Sequence, residues 1–523
     1  MLLIAPGFGM FPVGIAYIGA MLKRAGYQVD GYVASDMNRL REKLSSQQYD
    51  VIGTGGLSSE FKSLKRISEA VRRTKATFIV GGGIITSEPE LMSRALDVDY
   101  AVIGEGEETI LDLMERLERG EDVSRVDGIG YFADGAFRTT RPRKPIDDLD
   151  SLPWPDYDLF GYAEFLDSRK PSDIYYYDVF DHPREYPVIT SRSCPFSCTF
   201  CYHPLGQKYR QRSVESVMAE LRSTIPKYRV NLVSIYDELF SYNEKRVDQY
   251  CDQFQEYARS VSWDIKWSCQ MRVAGLNERM LERMRDSGCF MVSYGFESYS
   301  SRVLKSMKKG ITQEQIHNAI HATMDKGISV QGNFIFGDRA ETLETAFETL
   351  QFWRDHLEAG IFLAFVLPCP NSPMYQYCIK QGLIKDRLGF IRDRSFDIIN
   401  MTDMPNRDFL KLKTMVFSHW NRHRIAAIPS ERTETSFSVR CPHCEEMIRY
   451  NNYFVPQILD IRVFCRKCRK RFFVQDQWSK YHAQMSGVFP TFFYGMQRGL
   501  VLSRRFLVAK MPDSVRTLLK GLQ

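Results

Sequence analysis

The first 181 residues contain no histidine and the first 193 contain no cysteine. That excludes imidazole or thiolate coordination of a metal by this segment. The chain also lacks a long unbroken apolar run. Met1–Leu22 is uncharged and mostly apolar, but Pro6, Gly7, Gly9, Pro12 and Gly14 interrupt it, and no basic residue precedes it. A bilayer-spanning helix needs about 20 predominantly apolar residues, and a secretory segment needs a basic start. The run therefore reads as a strand (Leu2–Ala5), a Gly/Pro loop and a helix from Val13 to Ala25. No other stretch is long enough to span a bilayer. Fixed-period repeats and low-complexity tracts are absent too, which excludes solenoids and disordered arms.

With 523 residues, 44% of them hydrophobic, the chain can build two or three cores. Its net charge of +6 is unevenly spread: residues 421–523 hold 18 Lys and Arg against 7 Asp and Glu. The remainder is therefore net acidic, and a basic tail of this kind suits an anionic partner as well as a solvated surface. Seven of the twelve cysteines fall into two close-spaced groups. In so long a chain this favours metal-binding thiols in a reducing, cytoplasmic setting over a disulfide framework.

Short apolar strands alternate with amphipathic helices up to about residue 140. Strands are expected at Leu2–Ala5, Gln28–Val33, Val51–Thr54, Thr77–Val80 and Tyr100–Ile103, with helices such as Glu60–Arg73 and Glu88–Ala95 between them. This pattern predicts an α/β, doubly wound, Rossmann-like domain over residues 1–140. Three strands run into glycines, at Gly55, Gly56 and Ser58, at Gly81, Gly82 and Gly83, and at Gly104, Glu105 and Gly106. Ligands of such sheets bind outside the carboxyl ends of the strands, where glycine admits close backbone approach. Residues 141–185 read as a linker. A second series, residues 186–380, has strands near Val188–Ser191, Leu232–Tyr236, Ile265–Cys269, Phe290–Tyr294, Val330–Phe336 and Ile361–Leu367. Six strands suggest a partial (β/α)6 barrel. A helical connector (381–437), a cysteine-paired module (438–475) and an aromatic, basic tail (476–523) follow.

Cys194-Pro-Phe-Ser-Cys198-Thr-Phe-Cys201-Tyr202 follows the first barrel strand. Three thiolates so spaced can hold three irons of a cubane and leave the fourth open to a ligand. A zinc site would want a fourth ligand, and His203 is the only nearby candidate. The motif, on such a barrel, resembles the radical S-adenosylmethionine (SAM) superfamily. The resemblance implies a [4Fe–4S] cluster on Cys194, Cys198 and Cys201, and SAM cleaved by one electron to a 5′-deoxyadenosyl radical. It also implies SAM contacts from Tyr202 and from strand ends: Asp237 and Glu238, Arg272, Glu297 within Gly295-Phe-Glu-Ser298, and Gln331 and Asn333. The turn Gly337-Asp-Arg-Ala-Glu341-Thr342 is similar to the family's GxPGET turn but lacks its proline and second glycine.

Ahead of that barrel, Pro12-Val-Gly-Ile-Ala-Tyr17, Gly81–Gly83 and Ile103-Gly-Glu-Gly-Glu107 resemble the cobalamin-dependent radical SAM class. The glycine-rich loops would then bind cobalamin. The DxHxxG motif that provides a lower imidazole ligand is absent, so cobalamin would bind without histidine ligation. The class implies methylation of an unactivated carbon as the leading expectation. Cyclisation or oxidation of the Mg-protoporphyrin monomethyl ester cyclase type is the alternative, and RNA modification a further one. The tRNA methylthiotransferases carry cysteines in their N-terminal domain, which this chain does not. A reductant such as flavodoxin or ferredoxin is an implied partner, with a small-molecule or carrier-linked substrate.

Cys441-Pro-His-Cys444 and Cys465-Arg-Lys-Cys468 are two knuckles that can place four thiolates around one ion, and they resemble a zinc ribbon. An Fe(Cys)4 site has the same ligands. Zinc is the expectation, because so small a module should have little apolar core and metal can supply folding free energy. Arg466, Lys467, Arg469, Lys470 and Arg471 crowd the second knuckle, enough charge to offset thiolates and to hold an anionic partner. Phe489–Gln523 mixes aromatic and basic residues, as in a helix docking on the barrel or lying on a membrane surface.

Overall fold

A computed structural model describes residues 1–7, 12–171, 179–241, 243–394 and 397–488. They form two compact units. One comprises residues 1–165, 191–216 and 367–397, and the other residues 166–190, 217–366 and the chain from 398 onward.

In the first unit, β1 (Leu2–Ala5), β2 (Asp30–Val33), β3 (Val51–Gly55), β4 (Thr77–Gly81) and β5 (Tyr100–Val102) run parallel in the order β2-β1-β3-β4-β5. The run Leu-Leu-Ile-Ala of β1 is buried throughout, as a parallel strand covered on both faces requires. Capping follows the sequence locally. Asp36 accepts from the amides of Asn38 and Arg39 to start helix Met37–Ser46, and Gly120 ends helix Glu107–Arg119 in the left-handed conformation. The sheet has an extension the strand pattern did not suggest. β6 (Ile129–Ala133) and β7 (Ala136–Thr139) add an antiparallel hairpin to its edge. Its turn is Asp134-Gly135, both at positive φ, a strong local hairpin signal.

The first strand of the second unit, β8 (Glu185–Val188), leads into a two-stranded hairpin, β9 (Ser191–Arg192) and β10 (Arg210–Gln211), that belongs to the first unit. The expected strand Val188–Ser191 is corrected here: the pairing strand lies three residues earlier. Beyond Val188 the Thr190 amide and hydroxyl donate to the Asp237 carboxylate, so the chain leaves the sheet. In β9–β10, Arg192 and Arg210 sit directly opposite each other, a repulsive arrangement by itself. Buried Glu105, just after β5, resolves it by accepting from Arg192 Nη1 and from Arg210 Nη1, each at 2.9 Å. Its second oxygen also takes the Ile146 amide at 2.6 Å, and Glu107 takes Arg192 Nη2. Burial alone would raise the Glu105 carboxyl, but Arg210, Arg192 and the Ile146 amide outweigh it and hold it below the ordinary carboxylate range.

In the second unit β8, β11 (Leu232–Ile235), β12 (Lys266–Met271), β13 (Cys289–Glu297), β14 (Ser329–Phe336) and β15 (Phe362–Phe365) form an open parallel sheet, ordered β15-β14-β13-β12-β11-β8. This is the six-stranded partial barrel. Trp267, Phe240, Tyr250 and Phe254 pack edge-on and stacked in its core. The outer helices start on side-chain caps from Asn243, Asn277, Thr312 and Thr342. A C-terminal module adds β16 (Ala426–Ala427), β17 (Glu431–Arg432), β18 (Phe437–Arg440), β19 (Met447–Tyr450), β20 (Asp460–Phe464) and β21 (Arg471–Gln475). They form two three-stranded sheets, β17-β18-β19 and β16-β21-β20. The expectation that this module has little apolar core is corrected. Phe437, Val439, Tyr450, Leu459, Val463, Phe472 and Val474 are all buried together. After helix Gln477–Val488 the tail Phe489–Gln523 lies outside the described residues. No described helix is long and apolar enough to cross a membrane.

Removing one member of a buried ion pair strands its partner and costs about 3–5 kcal/mol. Glu105→Ala is therefore expected to lower the urea midpoint of the first unit by a corresponding amount. Limited proteolysis should show earlier cleavage between β9 and β10 than in the unsubstituted protein.

Candidate functional site

The three cysteines of the CxxxCxxC motif lie on the irregular loop between β9 and β10. Cys198 is buried, Cys194 and Cys201 are half-buried, and none of the three is in a disulfide. Ser193 enters the loop at φ 68°, buried, with its hydroxyl on the Leu205 carbonyl. The Cys201 amide closes a turn on the Cys198 carbonyl at 3.3 Å. Within the same unit, the Thr199 carbonyl accepts the Met374 amide at the start of helix Pro373–Lys380. That helix is anchored in turn by Glu88, which takes the Tyr375 hydroxyl and Arg387 Nη1 at 3.0 and 2.9 Å. Two buried carboxylates, Glu105 after β5 and Glu88 after β4, thus hold the loop from its two sides. Tyr202 follows the motif, and burial raises its phenol. Three cysteines outside any disulfide on a short pinned loop fit a cubane with one iron left open.

The glycine loops of the first sheet are in contact with one another. A Cβ on Gly82, at φ +83°, would lie 2.9 Å from the backbone of Gly56, and one on Gly55 would lie 2.9 Å from the Gly81 carbonyl. This loop-to-loop approach requires glycine at Gly55 and Gly82, whereas a Cβ on Gly56 would meet the Glu60 carboxylate and one on Gly81 would make only ordinary contact with Val102. Gly83 starts a short helix against Leu57, and the Ser58 hydroxyl lies 3.5 Å from that of Ser87. Gly104 differs: a Cβ there would meet nothing within 4 Å, while its amide is fixed by Thr86 Oγ1. Gly106 caps the following helix. Among the described residues, the carboxyl edge of this sheet therefore presents backbone, the exposed Leu57 and open space at Gly104, and residues 1–181 contain no histidine. This donor set fits cobalamin carried without histidine ligation. Glu105 belongs to the arginine network, a role the arginines on either side of the cysteine motif could have signalled.

On the barrel strands, one face is buried under helices and the other carries polar side chains. Ser293 pairs in register with Gln331 and Gly295 with Asn333, and the Ser293 hydroxyl donates to Gln331 Oε1. Gln270 on β12 is paired with Ser293 and adds a third polar side chain to the same row. It was not among the expected residues, although its alternation with Met271 marks it. Glu297 ends β13 at a bulge, at φ +65° and 7% exposed, the kind of strained position that functional sites retain. Its carboxylate takes Lys309 Nζ at 2.8 Å. A Cβ on Gly295 would collide with both members of this pair. Lys309 had no local signal in the sequence, since only the tertiary fold brings it to Glu297. Asp237 is buried and committed to Thr190. Glu238 beside it is exposed. Arg272 Nη2 donates to the carbonyls of Lys309 and Gly310. A polar row with a strained buried glutamate at its end suits a zwitterionic ligand such as SAM.

In the C-terminal module the two knuckles turn between β18 and β19 and between β20 and β21. Cys441 and Cys468 Sγ are 3.8 Å apart, and Cys444 and Cys465 Sγ are 3.7 Å apart. Disulfide sulfurs would be about 2.05 Å apart. Four thiolates at about 2.3 Å from one tetrahedral ion are about 3.8 Å apart. The His443 and Cys468 amides donate to Cys441 and Cys465 Sγ at 3.4 Å. Burial pushes the Cys465 thiol well up and that of Cys468 up to about 11, a cost that a bound cation removes. Most of the basic residues here have partners within the protein, Lys467 in a surface ion pair. Arg466 pairs with Asp181 at 2.7 Å, Lys467 with Glu446, and Arg469 with the Gly327 carbonyl, while Arg471 is buried.

A pinned three-cysteine loop, an open six-stranded barrel with a polar strand-end row, and a preceding doubly wound sheet define an iron–sulfur, SAM-handling class of enzyme. Residues 188–352 match the Radical SAM superfamily and residues 1–114 the B12 binding domain. The chain therefore carries a B12 binding domain ahead of a radical SAM domain, and the radical SAM domain implies SAM and a [4Fe–4S] cluster. It is 28% identical over 382 residues to an uncharacterized methyltransferase, PH0819, of Pyrococcus horikoshii, covering 71% of this chain and 79% of that one. It is also 28% identical over 380 residues to the anaerobic magnesium-protoporphyrin IX monomethyl ester cyclase of Rubrivivax gelatinosus, covering 70% and 66%. Its fold is shared with the radical SAM methyltransferase TsrM from Kitasatospora setae, at TM-score 0.59 and 17% identity over 72% of this chain and 75% of that one.

Glu341, in the turn after β14, is 2% exposed. Burial raises its carboxyl to about 7, against hydrogen bonds from Thr345 Oγ1 and the Gly337 amide. A free glutamate titrates near pH ~4.3, so the folded state holds this proton more tightly and loses stability as pH rises from there to about 7. Glu341→Gln is expected to be close to neutral at about pH 4, below both pKa values. At pH 8 it should be stabilising, by on the order of 3 kcal/mol, in thermal melts at the two pH values.

Proposed function

We propose that this chain is a cobalamin-dependent radical SAM methyltransferase acting on an unactivated carbon. The observation that carries the reading is the coexistence, in one chain, of a B12-binding domain and a radical SAM domain with an intact three-cysteine loop. The similarity to a methyltransferase over most of both chains supports it. When bound, the cluster supplies the electron that cleaves SAM to an adenosyl radical, and cobalamin carries the methyl group. The chain's own part is to position these groups. Cys194, Cys198 and Cys201 hold the cluster on a loop whose flanks are fixed by Glu105 and Glu88. Ser293, Gln331, Asn333 and the strained Glu297 offer polar groups to SAM, with Lys309 holding Glu297 in place. Gly104 and Leu57 offer an uncharged surface to the corrin. The four-cysteine module holds zinc, a structural ion that crosslinks its two sheets; its tetrahedral sulfur spacing supports this, and visible iron–thiolate absorption would oppose it. Flavodoxin or ferredoxin is the class of electron donor. The similarity to a ring-forming cyclase makes cyclisation the outcome to test against.

In anaerobically reconstituted protein, SAM cleavage should require Cys198. Cys198→Ala should reduce 5′-deoxyadenosine formation to background while zinc content stays unchanged; undiminished cleavage would refute the reading. With a candidate substrate, label from methyl-labelled SAM should enter the product, whereas cyclisation would leave the product unlabelled. Bound cobalamin should retain the same EPR spectrum in its Co(II) form when histidine nitrogens are isotopically labelled.

A further inference from the structure

Three of the chain's nine histidines converge on the outer layer of the barrel, on elements that none of the chemistry above uses. His317 and His321 lie four residues apart on helix Gln313–Asp325 and therefore share a face. His356 follows helix Leu343–Asp355, which packs next along the sheet. One ring nitrogen from each comes within 4.8 Å of the other two. The His321 and His356 Nε2 atoms are 3.3 Å apart. Two imidazoles bound to one tetrahedral zinc at about 2.0–2.1 Å would have nitrogens about 3.3–3.4 Å apart.

His356 is buried and stacks on Phe352. Its Nδ1 lies 2.8 Å from the Phe352 carbonyl, an acceptor only, so Nδ1 carries the proton and Nε2 presents its lone pair. This is the arrangement that sets the tautomer of a metal-bound histidine. A hydrogen bond between His321 and His356 would account for those two rings alone. It would not account for His317, whose ring centroid is 4.2 Å from that of His321 and 5.6 Å from that of His356. His317 is exposed and free to close the remaining distance.

We propose that His317, His321 and His356 form a third metal site, distinct from both cysteine sites, that binds one divalent transition-metal ion of the zinc class with water completing a tetrahedron. The ion crosslinks two adjacent barrel helices. The turns that follow those helices receive the C-terminal module, through Arg469 on the Gly327 carbonyl and Arg462 on the Gly360 carbonyl. Its role is therefore structural, stiffening the platform on which the four-cysteine module rests.

The test is zinc titration of the full-length protein, with its cluster reconstituted and its four-cysteine site already filled, against a chromophoric chelator. The expected result is one further zinc per chain. His321→Ala and His356→Gln should abolish it, His317→Ala should weaken it at least tenfold, and the four-cysteine ion should stay in place in all three. His317 is at the surface, so its variant reports binding without loss of fold, and circular dichroism checks the other two. Absence of a further ion in the unsubstituted protein would overturn the proposal. So would unchanged affinity in His356→Gln, which would leave only a surface histidine pair, or unchanged affinity in His317→Ala.

Discussion

The first unit depends on one buried carboxylate–arginine network. Within it Glu105 sits where β5 ends and bridges two arginines that the β9–β10 hairpin places face to face, with Glu107 as the second partner of Arg192. Without it, the hairpin that carries the cysteine loop would bring two positive charges into register inside the protein. With it, the loop is tied to the carboxyl edge of the sheet whose glycine turns suit the corrin. Burying such a network is expensive, and its gain in stability over an apolar replacement is small. Its gain here is positional: the charges accept one geometry, and a cluster-bearing loop needs one geometry.

The barrel strand ends follow the same economy. Glu297 occupies a left-handed conformation at a bulge and is fixed there by Lys309, with Gly295 leaving the space both require. Asp237 is spent on Thr190, where the chain departs from the first strand. Arg272 is held by backbone carbonyls. Several polar residues at the strand ends thus shape the rim, while the row through Gln270, Ser293 and Gln331 lines the face left open.

The C-terminal module is a small domain with its own core and a four-thiol centre, and its basic residues are largely consumed in contacts within its own unit. A run of arginines beside a metal knuckle reads in sequence as a binding surface for anions. In the folded chain Arg466, Lys467 and Arg469 each have an internal acceptor.

The sequence by itself determined the classes of structure. Apolar strand runs, their alternation with helices and the glycine turns specified two largely parallel sheets, because burial on both faces leaves short continuous apolar runs. The spacing of the cysteines marked both groups as candidate metal ligands, because ligands on one short loop or knuckle are local. It misplaced the first barrel strand by three residues and overlooked the Asp134-Gly135 hairpin, although that turn is itself a local signal. Only the tertiary structure decided which carboxylates were free. Glu105, Glu88 and Glu297 find their partners 12 to 299 residues away, and no local pattern encodes a pairing across such separations. The same holds for His317, His321 and His356: a helical spacing relates the first two, but the third joins them only because neighbouring strands bring their helices side by side.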